Sequence, residues 1–268
     1  MKNTVLSYCT DQVLEHDPDR FYTALFARGT QREALLALYA FNAEIARTPD
    51  VVTESALGLI RLQWWRERLE EIYQPDSTVP ASPVLQALAP VIREFSLSQA
   101  LFEDLLTGRE EDFSENPPET LDDLENYVAR TSSSLMALAL EICGQHTGEA
   151  RLMARHGGIA CGLAGLMRAL PFRSSRHRTP IPRDLQQQDL PAAALKIADR
   201  AQEHLDRLSV LPLPPDRVAL PALLPVVLAR LDLKRIRRAS SDVFRPSVTG
   251  PHPFRTLALS WAMVKGKV

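Results

Sequence analysis

The chain is predicted to fold as an all-α domain. Apolar residues recur at steps of three and four through most of its 268 residues, the spacing that places them on one side of a helix. Runs of alternating apolar and polar residues long enough for a strand are missing, as is any repeat of solenoid length. Hydrophobic residues make up 45% and charged residues 24%, the balance of a chain with a full core. One domain, residues 1–268, of about eight to ten helices accounts for this length and pattern.

Taken in order, Phe21 to Ala27 is a short apolar turn punctuated by Gly29-Thr30. A long helix follows from about Gln31, with Leu35, Leu38, Tyr39, Asn42 and Ile45 along one side and a wet face opposite, until Pro49 breaks it. A second helix runs from Ser55 to Tyr73. Leu57, Ile60 and Trp64 form one apolar line on it, Trp65, Leu69 and Ile72 a neighbouring one, and Arg61, Arg66, Glu67, Arg68 and Glu70 the wet face. After a Pro/Ser-rich turn, helices are expected over 83–95 and 98–106, and Asn116-Pro-Pro stops the chain. Thr120 and Asp123 have the spacing of a capping box, opening a helix through Leu124, Tyr127 and Val128 that continues past Leu138 to Cys143-Gly144. The helix over 149–170 carries Gly157, Gly158, Gly162 and Gly165. Each interior glycine costs about 1 kcal/mol against alanine, so several together imply the close approach of another helix or a ligand. Helices near 192–208, 221–238 and 254–264 complete the chain.

Net charge is −2 and the isoelectric point about 6.3, which gives no global field for nucleic acid. Cys9, Cys143 and Cys161 are scattered, without the spacing of a zinc site or disulfide framework. The histidines show no pairing at ligand spacing, so no metal site is expected from them. The N-terminal residues have neither a signal-peptide core nor an arginine-rich transit character. The most apolar run, Val218 to Leu231, holds two prolines and an arginine and is too short to span a bilayer. These features predict a cytoplasmic chain, with a peripheral place on the inner membrane as the further option.

The segments Leu38-Tyr39-Ala40-Phe41, the polar stretch to Asp50, the Trp64-Trp65 helix, Gly108 to Asp112, the helix with Tyr127 and Arg130, and Gly162 to Asp184 together resemble the squalene/phytoene synthase family. The resemblance spans nearly the whole chain. It implies an isoprenoid-synthase helical bundle around a central cavity, with 34–54 and 162–185 facing each other across it. Members of that family hold two prenyl diphosphates through magnesium and two aspartate-rich motifs.

This chain departs from the pattern where the chemistry sits. Ala46 and Arg47 occupy the positions of the first motif's adjacent aspartates, leaving Asp50 as the surviving acid. Asn42 and Ala43 replace the usual Cys-Arg. In the second motif Arg168 matches, but Ala169 and Arg173 replace both acids; Arg178, Ile181-Pro182 and Asp184 keep the downstream pattern. Magnesium takes near-octahedral oxygen ligands from carboxylates and phosphates, and arginine at 47 and 173 would repel it while still attracting an anion. The stretches FNAEIA, IRLQWWRERLEEIY and LENYVARTSSSL, with Ser260-Trp261, resemble one branch in particular, the phytoene-synthase-like assembly factors of respiratory complex I. That implies complex I subunits or assembly intermediates as partners, no catalytic residues, and no cofactor.

The candidate substrate-binding residues are Tyr39, Phe41, Asn42, Asp50, Tyr127, Arg130, Arg168, Arg173 and Arg178, for an isoprenoid or an anionic lipid. Most have a plainer counterpart. Without the resemblance Tyr39, Phe41 and Tyr127 read first as core aromatics; Asp50 is equally readable as a turn residue, and Arg173, Arg176, His177 and Arg178 as a solvated loop. Lys234, Arg235, Arg237 and Arg238 read as a wet helix face, with membrane contact the lesser reading. Arg168, inside an apolar helix, needs a carboxylate or a bound anion. The competing expectation is a working transferase on prenyl diphosphates, using Asp50 or Asp184 with magnesium.

Overall fold

A computed structural model describes residues 2–75, 81–174, 180–212, 217–239 and 250–268, and every regular element among them is helical. Helix α1 (Lys2–His16) is followed by α2 (Pro18–Ala24), α3 (Gly29–Ala46), the single turn α4 (Thr48–Val51) and α5 (Ser55–Tyr73). Next come α6 (Pro83–Glu94), α7 (Gln99–Glu110), α8 (Leu121–Val128), α9 (Ser134–Ile142) and the long α10 (Gly148–Ser174). The chain ends in α11 (Leu190–Ser209), the turn α12 (Leu220–Leu223), α13 (Pro225–Ala239) and α14 (Arg255–Lys265).

Helix α10 is the hub, packing against α8, α9, α11 and α13, while α3 packs against α1, α6 and α9. Ala34 to Ala43 are buried without interruption. The wet face expected on this stretch is therefore not there: a helix enclosed on all sides has no solvent side for polar residues to occupy. On α5 the buried stripe is Gly58, Leu62, Trp65, Leu69 and Ile72. The line Leu57, Ile60 and Trp64 instead faces solvent at 50, 65 and 40% exposure.

The capping box is present, with the Thr120 side chain accepting from the Asp123 amide and Asp123 reaching back to the Thr120 amide. The helix it opens does not run unbroken to Cys143. Ala129–Ser133 forms a π-helical turn between α8 and α9, a one-residue widening of the kind that often marks functional positions. Two glycine-bearing helices clamp it. A Cβ on Gly108 of α7 would lie 2.8 Å from Thr131, and one on Gly158 of α10 would lie 2.3 Å from the Ser133 Cα. Gly157 and Gly162 meet Met136 and Val128 in the same way. Helix approach thus explains those three glycines of α10, whereas Gly165 faces open space. Pro225 divides the expected helix near 221–238 into α12 and α13, and α1 is an element the sequence pattern did not single out.

Candidate functional site

The polar interior is assembled by α2, α3, α7, α8, α10 and α13. Asp17 caps α2, accepting from the Arg20 amide at 3.1 Å and from the Arg20 guanidinium at 2.6 Å. This aims Arg20 over the ring of Tyr39 on α3, 5.9 Å from its centroid. Tyr39 is 2% exposed, and burial pushes its phenol above the ordinary range against the opposing pull of Arg20. Cys161 of α10 shares this surrounding. Burial pushes its thiol up to about 12, partly offset by Arg20, Arg168 and Arg230, so it stays a protonated thiol.

A second cluster stands beside it. The Arg109 guanidinium donates to Asp112 at 3.2 Å and to the Tyr127 hydroxyl at 3.1 Å, and that hydroxyl donates to Asp112 at 2.9 Å. Burial works against the Arg109 charge, but Tyr127 and Asp112 outweigh it and hold the guanidinium above its usual range, with Arg20 repelling from nearby. The Arg109 Nε is buried without a hydrogen-bond partner.

Arg168 closes the set. One terminal nitrogen donates to Asp19 of α2 at 2.6 Å and to Asp232 of α13 at 3.0 Å. Burial pushes the Asp232 carboxyl up to about 6, with Arg168 pulling it down and Asp19 pushing it further up. The charge that an apolar helix could not carry alone is thus met by two carboxylates from distant parts of the chain.

Of the sequence candidates, Tyr39, Tyr127 and Arg168 come together in this interior. Phe41 does not line it. Its ring is wholly buried, edge-on to Trp65 at 5.4 Å and to Phe102 at 5.5 Å, in packed core. Asn42 is 5% exposed and its Oδ1 has no hydrogen-bond partner. Asp50 is exposed on α4. Arg130 is exposed and paired with Glu111 at 3.3 Å. The Arg173 side chain and Arg178 lie outside the described residues. Asp17, Asp19, Arg20 and Asp232 are not among the residues the sequence singles out, and Arg109 and Asp112 enter it only within the segment Gly108 to Asp112, not as site residues. A lone acid in the apolar and basic helix α13, and the Asp-Pro-Asp-Arg run before Phe21, are the signals that point to Asp232 and α2.

These residues do not fit a magnesium ion. Arg47, at a position where the resemblance implies an aspartate, is hydrogen-bonded to His16 at 2.6 Å. Asp50 and Asp184 are exposed, and the interior acids are already taken by arginines. Among the described residues no three His, Cys, Asp or Glu side chains converge in a way that could hold a metal.

The family model described as squalene/phytoene synthase matches residues 13–253. The complex I assembly factor 6 of Bos taurus is 29% identical over 272 residues, covering 95% of this chain and 81% of that protein. Its Homo sapiens counterpart is 29% identical over 256 residues, covering 90% and 76%. Among solved structures, a dehydrosqualene synthase crystallised with a ligand superposes with a TM-score of 0.84 at 19% identity, over 98% of this chain and 96% of that one. That likeness establishes the isoprenoid-synthase fold. With the family model spanning nearly the full length, the chain belongs to the squalene/phytoene synthase family.

Proposed function

We propose that this protein acts in the assembly of respiratory complex I and that it does not transfer prenyl groups. What supports the second half is that Ala46, Arg47, Ala169 and Arg173 stand where the resemblance implies clustered carboxylates, with the remaining interior acids held in ion pairs. Ionising an allylic diphosphate calls for concentrated positive charge at the departing group, supplied in this fold by carboxylate-held magnesium. Here the interior carboxylates are engaged by guanidiniums, Asp17 by Arg20, Asp112 by Arg109, and Asp19 and Asp232 by Arg168, and are not free to organise a metal. The first half is supported by the two assembly factors, which match along most of their own length. The partners are complex I subunits or assembly intermediates, met at the inner-membrane surface. No helix among the described residues is long and apolar enough to cross a membrane. The interior, with Tyr39 and Tyr127 beside Arg20 and Arg109, holds an isoprenoid or anionic lipid in this reading.

The test is a deletion strain. Complex I on native gels and NADH oxidation by membranes fall together and return with the wild-type chain; normal levels of both would overturn the assembly role. Purified protein given farnesyl or geranylgeranyl diphosphate with magnesium leaves both intact, and turnover would establish the transferase instead. Lipid mass spectrometry on the purified protein finds a co-purified isoprenoid or anionic lipid, and an empty interior would remove that part of the proposal.

A further inference from the structure

Helix α14 is apolar on two opposite sides. Its inner stripe, Leu259 and Ala262, closes over Leu224 and Leu228. Its outer side carries Leu257, Trp261 and Val264, which are 67, 59 and 67% exposed, and Phe254, the residue just before the helix, continues the line at 64%. Steps of three, four and three put these four on one line. Single exposed apolar residues are ordinary on a protein surface, but four large ones in a row along one short helix mark a contact surface.

The sequence around this line is largely basic, although Arg237 and Arg255 are paired with Asp199 and Asp19. From Leu233 to the end there are eight Lys and Arg against a single acid, Asp242, although the whole chain carries −2. Lys265 and Lys267 are exposed at the end of the helix. The Lys265 ammonium lies 4.8 Å from the Trp261 ring centroid, and Arg217 reaches to within 3.6 Å of where a side chain on Gly266 would begin. Lys234, Arg237 and Arg238 are exposed on α13, which packs against α14. A large aromatic and aliphatic face with lysines at its edge and no acid on the helix is the composition of a segment lying in a headgroup layer, where the rings and methyls sink and the amines stay with phosphates. A second copy of the chain is a poor occupant: a two-fold contact through this face would bring its own lysines together with no acid to receive them.

We propose that the outer face of α14 is a docking surface for an anionic lipid bilayer. Phe254, Leu257, Trp261 and Val264 enter the acyl boundary, and Lys265 and Lys267 meet the phosphates. This rests on the reading that the protein works at the inner-membrane surface, and it names the surface that would do so. The placement has a consequence for the interior. Arg255, at the start of α14, stacks over Tyr22 at 4.3 Å and contacts Asp19 at 3.3 Å, and Asp19 is the residue that holds Arg168. The bilayer would therefore lie against the side of the molecule where the Arg168 cluster sits.

Flotation of the purified full-length protein with vesicles of phosphatidylcholine, alone or mixed with phosphatidylglycerol, tests this. The protein floats with the mixed vesicles, hardly with the neutral ones, and less as salt is raised. Leu257→Glu with Trp261→Glu lowers partitioning at least tenfold. Lys265→Gln with Lys267→Gln lowers it by roughly thirtyfold at low salt and removes most of the salt dependence. All four positions are exposed, so unchanged helicity and melting verify that the variants are folded. Failure of the wild type to float with either vesicle overturns the proposal, as does a Leu257→Glu/Trp261→Glu variant that floats equally well. A wild-type dimer that this variant converts to monomer, without flotation, would reassign the face to a second copy. A chain that never floats yet restores complex I in the deletion strain overturns this surface alone. A deletion without effect on complex I overturns the assembly role and leaves the vesicle result standing.

Discussion

At Arg168 a single nitrogen serves Asp19 and Asp232 together, and the three charges come from α10, α2 and α13. Removing the arginine leaves Asp232, 7% exposed, close to a second acid, with Arg235 at 3.7 Å the remaining cation beside it among the described residues. Breaking a fully buried pair costs roughly 3–5 kcal/mol. Because the Arg168 side chain is 31% exposed, Arg168→Met is expected to cost about 2 kcal/mol, measured by urea unfolding at pH 7. The sign with pH follows from Asp232. Its folded pKa of about 6 lies above the ordinary carboxylate value of 3.8, so the folded state holds the proton more tightly than the unfolded chain. Its contribution to stability is complete below about pH 4 and declines as pH rises through 6. The protonated acid needs no cation, so the cost of Arg168→Met shrinks when the same titration is run near pH 5. An equal cost at both pH values would show that Asp232 is not the group left stranded.

Helix α10 carries its glycines for two different reasons, and substitution separates them. At Gly158 a methyl group would lie 2.3 Å from the Ser133 Cα and 2.6 Å from its amide nitrogen. Those are backbone atoms of the π turn and cannot swing aside. Gly158→Ala should therefore destabilise by about 3 kcal/mol, at the upper end of overpacking costs. At Gly165 nothing lies within 4 Å, so Gly165→Ala adds helix propensity without a clash and should stabilise by up to about 1 kcal/mol. Thermal melts of the two variants check both signs. If Gly165 borders the ligand space, the added methyl also lowers the amount of lipid that co-purifies. A destabilising Gly165→Ala would instead place a packed neighbour there.

Over the whole molecule, what could be read from the chain was the helical class and most helix positions, because three-and-four spacing is a local signal. Tyr39, Tyr127 and Arg168 could be named for the same reason, through motif positions in single segments. Asp19 and Asp232 could not: they meet Arg168 only after chain separations of 149 and 64 residues are closed. Leu57, Ile60 and Trp64 on α5 have the same spacing as the neighbouring core stripe yet face solvent, because spacing does not say which apolar side finds a partner. The same ambiguity bears on α14, whose inner residues belong to a small cluster with Leu224 and Leu228, separate from the main core. Four buried side chains, the partly buried Tyr22, Phe26, Val227, Leu231 and Met263 around them, and the Arg255 contacts with Asp19 and Tyr22 hold it down. A unit with so few buried contacts opens before the rest of the fold. Amide exchange in α14 should therefore require less free energy than in α10 or α3, and Arg255→Ala should lower it further while leaving exchange in α3 unchanged. Mixed anionic vesicles bound to the outer face would stabilise the docked helix and slow its exchange in the wild type. Equal protection across α3, α10 and α14 in the free protein would mean that the C-terminal helix is part of the global unfolding unit.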